Sequence, residues 1–397
     1  MRVLFLGCCY SESQKNLFLE YSKRGYQFAA QNFQEALFEG FLKNETYFRV
    51  VSVPPLSTFP FGYMKPVVHS CNFYYNEVCC GESIGYVNLP FINRPVDKFV
   101  VDAIERQENI DKTDGDLCIV VYGLHKTLMR CALKYRRKYP FVKLSIIIPD
   151  LPEFMGCNRI YKKLGLKDED VRQVYSMINQ FDSYIFLTEK MADKILRGSK
   201  KPYVIVEGIF KERALLEIKK EESKVILYTG GLVLRYGIGD LLEAFHRIPN
   251  NDYQLWLCGG GDAEDAIREY SNKDNRIKYL GKKASEEVYK LQRKASLLVN
   301  PRHSGETFTK YSFPSKTMEY MASGTPTLMS KLECIPSEYD RYLFYFDDES
   351  IDGMKNKMIE ICEMDKIVLS RIGREASAFI KKQKNAEAQV SKILTIL

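Results

Sequence analysis

Lys316 and Glu319 stand three residues apart in the stretch FPSKTMEYMASGTPT, residues 313–327. That spacing puts both side chains on one face of a helix. A carboxylate so placed can accept two hydrogen bonds from vicinal hydroxyls, as on a ribose, and the ammonium beside it suits a phosphate. The same spacing also suits a plain i,i+3 ion pair on a solvated helix, and the residues alone leave both readings open. Pro314 fits the first turn of such a helix. Ser312 or Ser315 could supply a hydroxyl cap, and Gly324 and Pro326 end the helix before an apolar run.

Two further junctions carry the chemistry of anion binding. LYTGGLVLRYGIGDLLEAF, residues 227–245, reads as a strand, a Gly230–Gly231 turn, a short loop with Arg235 and a helix. LCGGGDAEDAI, residues 257–267, repeats the design around Gly260. Glycines free backbone N–H groups near a helix N-terminus, where an anion is stabilised. Tight turns alone would explain the glycines as well. NPRHSGETFTKYS, residues 300–312, follows another strand and brings Arg302, Lys310, Tyr311 and Ser312. In the first half, His125 follows DLCIVVYG, and Asp150 and Glu153 follow KLSIII. A lone histidine is more often structural than catalytic. Two acids between the prolines of PDLPEF are unusual for a plain turn.

The elements that must position these residues alternate along the whole chain. Apolar runs at 2–8, 47–54, 116–123, 143–150, 183–188 and 203–208 end in turn residues and read as strands buried on both faces. Amphipathic helices fall between them, around 26–43, 125–138, 168–180 and 189–197, the last with Thr188 as N-cap. A charged stretch at 211–224 interrupts the pattern. It restarts with strands at 225–230, 253–259, 276–281, 295–301, 325–330 and 342–346, and residues 370–397 read as helix. Two such series imply an α/β protein of two Rossmann-like domains facing each other across a cleft, with strand C-termini lining it. The expected division is 1–210, 211–375 and a C-terminal helix, 376–397, that packs back on the first domain. Residues 57–95, rich in aromatics, glycine and proline, suit either a functional loop that meets an acceptor or a hairpin folded over the core.

Composition narrows the classes. The 397 residues are 45% hydrophobic and 27% charged, ordinary for a globular chain. Eleven cysteines without a C-x-x-C read as reduced core thiols, and four histidines without metal spacing argue against zinc. The start MRVLFLGCCY reads as a first strand and not a signal peptide, and no run approaches the roughly 18 apolar residues of a membrane span. A soluble or peripheral protein follows. Net charge is +7, and HKTLMRCALKYRRKYP, residues 125–140, holds six lysines and arginines, one histidine and no acid. That helix suits either an anionic membrane surface or a solvated face.

From about residue 225 to 339, the Gly-Gly turn, LWLCGGG, IKYLG, LLVNP and FPSKTMEYMASGTPTLMSKL occur in one order and spacing. In this the chain resembles the GT-B retaining glycosyltransferases of family 4, and its first half resembles the bacterial members that build surface polysaccharides. The resemblance implies the GT-B fold. It also implies transfer of a sugar, with retention, from a nucleoside diphosphate sugar, most often a UDP-sugar, to a glycan or lipid-linked acceptor in polysaccharide biosynthesis. Glu319 matches the second glutamate of the family's E-x7-E motif, which holds the ribose. The first would fall at 311, which is Tyr311 here. Gly231 and Tyr236 stand where the family has an Arg and a Lys, so Arg235 with Lys310 or Lys316 would take the diphosphate, and Arg302 is a further cation.

The implied catalytic set is Arg235, Lys316, His125 and Asp150. The implied donor-binding set is Gly230, Gly231, Gly260, Arg302, Lys310, Tyr311, Ser312 and Glu319. No D-x-D motif occurs, which suits a metal-independent enzyme without a cofactor. No nucleic-acid partner is expected, and the location implied is the cytoplasm or the inner face of the plasma membrane. A nucleotide-sugar 2-epimerase of the same fold and an inactive GT-B-like binding protein are the alternatives. A dehydrogenase is the weaker rival, because no G-x-G-x-x-G follows RVLFLG.

Overall fold

The computed structural model describes residues 1–23, 28–90, 96–110, 116–154, 166–212 and 218–397. The chain divides into two compact units. The first comprises Met1–Ile209 and Ala386–Leu397, and the second Phe210–Asn385. Residues 213–217 of the charged stretch, Cys157 and residues 91–95 of the aromatic segment lie outside the described residues.

The first unit is built on an eight-stranded sheet. Its strands are β1 (Arg2–Gly7), β2 (Phe48–Ser52), β4 (Cys71–Tyr75), β5 (Val78–Ser83), β7 (Leu117–Tyr122), β8 (Lys143–Ile148), β9 (Ser183–Phe186) and β10 (Tyr203–Ile205). The order is β10-β9-β8-β7-β1-β2-β5-β4, parallel except for the β4 edge. β7 and all of β1 after Arg2 are buried, which is why they read as continuous apolar runs. Thr188 caps helix Glu189–Leu196, its side chain accepting from the Met191 N–H.

The aromatic segment takes the hairpin reading over its described part. β4 and β5 pair antiparallel about Asn76 and Glu77, whose φ values of 48° and 64° match a primed two-residue turn. Short strands β3 (Val67–Val68) and β6 (Tyr86–Val87) also pair antiparallel. Tyr63 and Phe73 are buried, with the Tyr63 ring 5.8 Å from that of Phe18.

The basic helix, Lys126–Lys138, buries Leu128, Met129, Ala132 and Tyr135. Five of its six lysines and arginines pair with acids of neighbouring segments. Arg130 and Lys134 share Asp97, Lys138 meets Glu105, Arg136 meets Asp182 and Lys126 meets Asp170. Most of its charge is thus compensated within the unit.

The second unit holds a six-stranded, all-parallel sheet. Its strands are β11 (Lys224–Gly231), β12 (Tyr253–Gly260), β13 (Ile277–Gly281), β14 (Leu297–Asn300), β15 (Thr327–Met329) and β16 (Phe344–Tyr345), in the order β13-β12-β11-β14-β15-β16. Ile226, Leu255, Leu257, Leu297 and Val299 form a dry core with Leu241, Leu242 and Phe245 from one face. The opposite face packs Leu227, Cys258, Leu298 and Tyr320.

The single C-terminal helix read from sequence is two helices. Lys366–Gln383 packs Ala376, Phe379 and Ile380 in the second unit. The chain breaks at Lys384, whose carbonyl accepts the Phe210 N–H at 2.7 Å and whose buried ammonium meets Glu338. Ala386–Leu394 then joins the first unit, with Val390 and Ile393 in the core beside Leu37 and Phe41.

Candidate active site

The site in the second unit forms where β11, β12 and β14 end. The opening stretch is helical over Lys316–Ser323. Neither predicted serine caps it: Ser315 sits at the N-cap position and makes no side-chain bond, while Ser312 offers its carbonyl to the Cys334 thiol at 3.6 Å. Tyr320 fixes the helix instead. Its buried hydroxyl accepts from the Thr229 N–H at 2.8 Å and donates to the Thr229 carbonyl at 3.2 Å. Gln292 donates to the Thr229 hydroxyl at 3.2 Å. The start of the helix is thereby anchored to the end of β11.

The anchoring lays Lys316 across Gly230. A methyl group at Gly230 would stand 1.7 Å from the lysine Cε and 2.2 Å from Nζ, and Gly230 holds φ at +132°. Only glycine permits both features. Lys316 has no hydrogen bond or ion pair among the described residues, so the i,i+3 pair with Glu319 does not form. Burial lowers the Lys316 pKa, against the opposing charge of Glu319 one turn on, while Arg302 pushes the same way as burial. Glu319 is half-buried and its carboxylate makes no bond within the described protein.

A second cationic group adjoins it. The Arg302 guanidinium lies 4.6 Å from the Tyr236 ring centre and 5.3 Å from that of Phe308. The exposed Arg235 guanidinium lies 4.5 Å from the Phe308 ring and 5.6 Å from that of Tyr236. The aromatic faces attract both cations. Nη1 of Arg302 is buried and has no hydrogen-bond partner among the described residues. Burial lowers the Arg302 pKa, and Arg235 adds to that, against the pull of Tyr236, Tyr228 and Cys334. An arginine remains charged at any working pH. Arg302 thus has the charges of Lys316 and Arg235 near it, and among the described residues no carboxylate is bonded to any of the three. Like charges held together without counterions favour a bound anion.

The other expected donor-site residues divide. Gly231 ends β11 and accepts the Tyr228 hydroxyl through its carbonyl at 2.8 Å. Gly260 belongs to the second glycine turn, which is engaged by protein. Its carbonyl accepts the Leu232 N–H at 3.1 Å, and the Gly261 N–H goes to Glu264. The Gly260 Cα faces the Lys282 side chain. Lys310 is ion-paired with Glu333 at 2.7 Å, so its charge is already answered. Tyr311 is half-buried just after the short helix Thr307–Lys310.

The sequence reading missed His303. Its Nε2 lies 2.6 Å from Asp240 and its Nδ1 3.4 Å from Glu349. The partners are 63 and 46 residues away, and no local spacing marks them.

Residues 212–384 match the family model of the group 1 glycosyl transferases. An uncharacterized glycosyltransferase of Methanocaldococcus jannaschii is 24% identical over 292 residues, covering 72% of this chain and 76% of that protein. The sucrose-phosphate synthase structure from Thermosynechococcus elongatus superposes with a TM-score of 0.64 at 15% identity, over 100% of this chain and 98% of that one. The Anabaena HepE structure in complex with UDP gives 0.58 at 14% identity, over the whole of both chains. The protein has the GT-B fold, and its second unit matches the group 1 glycosyl transferases. At these identities the solved structures show the fold, and the match of the second unit carries the activity class.

The first unit presents its own candidates at the ends of β7 and β8. His125 precedes helix Lys126–Lys138 as its N-cap, with no capping side-chain bond. Asp150 follows β8 as an exposed residue, and partial burial of its carboxyl raises its pKa from the ordinary value. Both stand after adjacent strands, the usual place for reactive groups in a parallel sheet. Glu153, by contrast, is held by structure. It accepts the Tyr175 hydroxyl at 2.9 Å and pairs with Lys194 at 3.1 Å. The ten described cysteines are free thiols. Among the described residues no cluster suited to a metal ion occurs, and no helix is long and apolar enough to cross a membrane.

Proposed function

We propose that the enzyme transfers a sugar, with retention of anomeric configuration, from a UDP-sugar to a glycan or lipid-linked acceptor in bacterial polysaccharide assembly. The observation that carries the donor half is the group Lys316, Arg302 and Arg235, cationic and bonded to no carboxylate among the described residues, with Glu319, whose carboxylate is likewise unbonded there, one turn from Lys316. The diphosphate of the donor would answer the cations, and Glu319 would accept from the ribose hydroxyls. As the sugar–phosphate bond breaks, negative charge grows on the leaving diphosphate. Cations held in place before the reaction stabilise that charge most in the transition state.

Retention rests on the family 4 resemblance. In the front-face course it implies, the leaving phosphate oxygen takes the proton of the acceptor hydroxyl, and no protein nucleophile is needed. His125 and Asp150 would stand on the acceptor side. UDP in the HepE structure supports uracil as the base. A cytoplasmic enzyme acting at a membrane would have to be drawn there by its acceptor lipid, because the charges of the basic helix are mostly paired.

The test is a screen of UDP- and GDP-sugars against a glycan panel, read by nucleotide release and by the anomeric signals of the product. UDP release that depends on acceptor, with the donor's configuration kept, is the expected result. Conversion of the donor without acceptor would identify an epimerase instead. Donor binding without turnover on any acceptor would identify a binding protein.

A further inference from the structure

The loop that carries Arg302 is stapled by a charged cluster behind the cations. His303 follows Arg302 directly. Its Nε2 meets Asp240, in the first turn of helix Ile238–His246, at 2.6 Å. Its Nδ1 faces Glu349, 3.4 Å away in the segment before helix Ile351–Glu363. Glu349 also accepts the Ser304 N–H at 3.1 Å. Both ring nitrogens thus face carboxylates, an arrangement that the doubly protonated imidazolium satisfies and the neutral ring cannot.

The same two loops meet at a second point. Gly237 holds φ at +79°, and a methyl there would stand 2.2 Å from the Pro301 carbonyl oxygen. The loop after β11, with Arg235 and Tyr236, is therefore backed against the loop after β14, with Arg302 and Phe308. His303–Asp240 is the charged tie between them. The charged groups facing His303 are Asp240 from the helix and Glu349 from the segment before the next helix. Arg302 is its neighbour in the chain, and its guanidinium lies against the Tyr236 and Phe308 rings.

We infer that His303, as the imidazolium bridging Asp240 and Glu349, is a positioning residue that holds Arg302 and Arg235 in their donor-binding arrangement and makes donor affinity depend on pH. The inference rests on the proposed donor reading of those cations. Burial works against the His303 charge, and the two carboxylates outweigh it, so the pKa is raised above the ordinary histidine value. The sign follows. The tie is complete below the ordinary value and is lost as pH rises through the raised one. Donor affinity then falls as pH rises through that raised value, by about five- to tenfold for coupling of common size.

UDP-glucose is the probe, because its diphosphate has no group titrating near neutral pH. Its dissociation constant is measured by calorimetry across pH for the wild type, His303→Gln and Asp240→Asn. In wild type the affinity falls as His303 deprotonates. His303→Gln binds weakly at every pH and loses that limb of the profile. Asp240→Asn keeps the limb but moves it to lower pH, because one of the two carboxylates that raise the histidine is gone. A merely structural histidine would weaken binding without moving any limb. A His303→Gln enzyme that binds UDP-glucose with the wild-type pH profile overturns the inference alone. Absence of any UDP-glucose or UDP binding by the wild type overturns the donor reading and the inference with it.

Discussion

Gly230→Ala tests how the Lys316 ammonium is placed. The new methyl would stand 1.7 Å from Lys316 Cε and 2.2 Å from Nζ. These atoms end a flexible side chain, so the lysine swings aside and the sheet stays. The backbone at φ +132° adds a cost of about 1–3 kcal/mol for any residue with a Cβ. Loss of a charge-assisted contact to phosphate adds about 1.5–3 kcal/mol to the binding free energy, or roughly ten- to 150-fold in donor affinity. Strain and placement separate in a double-mutant cycle with Lys316→Ala. Calorimetry with UDP on the four proteins is the assay, with thermal unfolding alongside. Gly230→Ala should lose most of the affinity that Lys316→Ala loses, and the pair together little more than either. The unfolding cost should be smaller in the Lys316→Ala background, where no side chain must move. A folded Gly230→Ala protein with wild-type affinity would refute the placement of Lys316 at the diphosphate.

Other perturbations bear on single parts of the account. Glu319→Gln keeps the shape and removes the charge, so UDP affinity should fall by about 1.5–3 kcal/mol in calorimetry. Arg302→Ala should reduce turnover, measured by UDP release, at least as much as it reduces donor affinity. Lys310→Ala should change neither by more than about twofold, because Lys310 is bound to Glu333 on an exposed surface. Because burial lowers the Lys316 pKa, affinity for UDP-glucose should fall again at alkaline pH. That limb should be absent in Lys316→Met, read by the same pH series. Asp97→Asn frees Arg130 and Lys134 at the basic helix. It should increase retention on anionic vesicles at low salt while the wild type shows little.

Much of the fold was legible because parallel strands buried on both faces leave continuous apolar runs, as β7 and β14 do. The helix that carries Lys316 and Glu319 was legible from Pro314 and Gly324. The break at Lys384 was not. It depends on Phe210 donating to the Lys384 carbonyl, a contact between residues far apart in sequence. The six cations of the basic helix were countable, but their partners on Asp97, Glu105, Asp170 and Asp182 come from other segments and needed the tertiary structure. The same limit hid the ion pair that occupies Lys310 and the carboxylates on His303. Sequence shows which residues could bind an anion. Which of them are left without a protein counterion is decided by contacts across the fold.

The central claim is that the second unit binds the diphosphate of a sugar nucleotide through cations that the protein itself leaves unanswered. Titration of the wild-type enzyme with UDP and, separately, with uridine measures this most directly. UDP should bind far more tightly than uridine, and its advantage should shrink as salt is raised or when Arg302 is replaced by alanine. Equal affinity for UDP and uridine, or a UDP advantage indifferent to both Arg302 and salt, would contradict it.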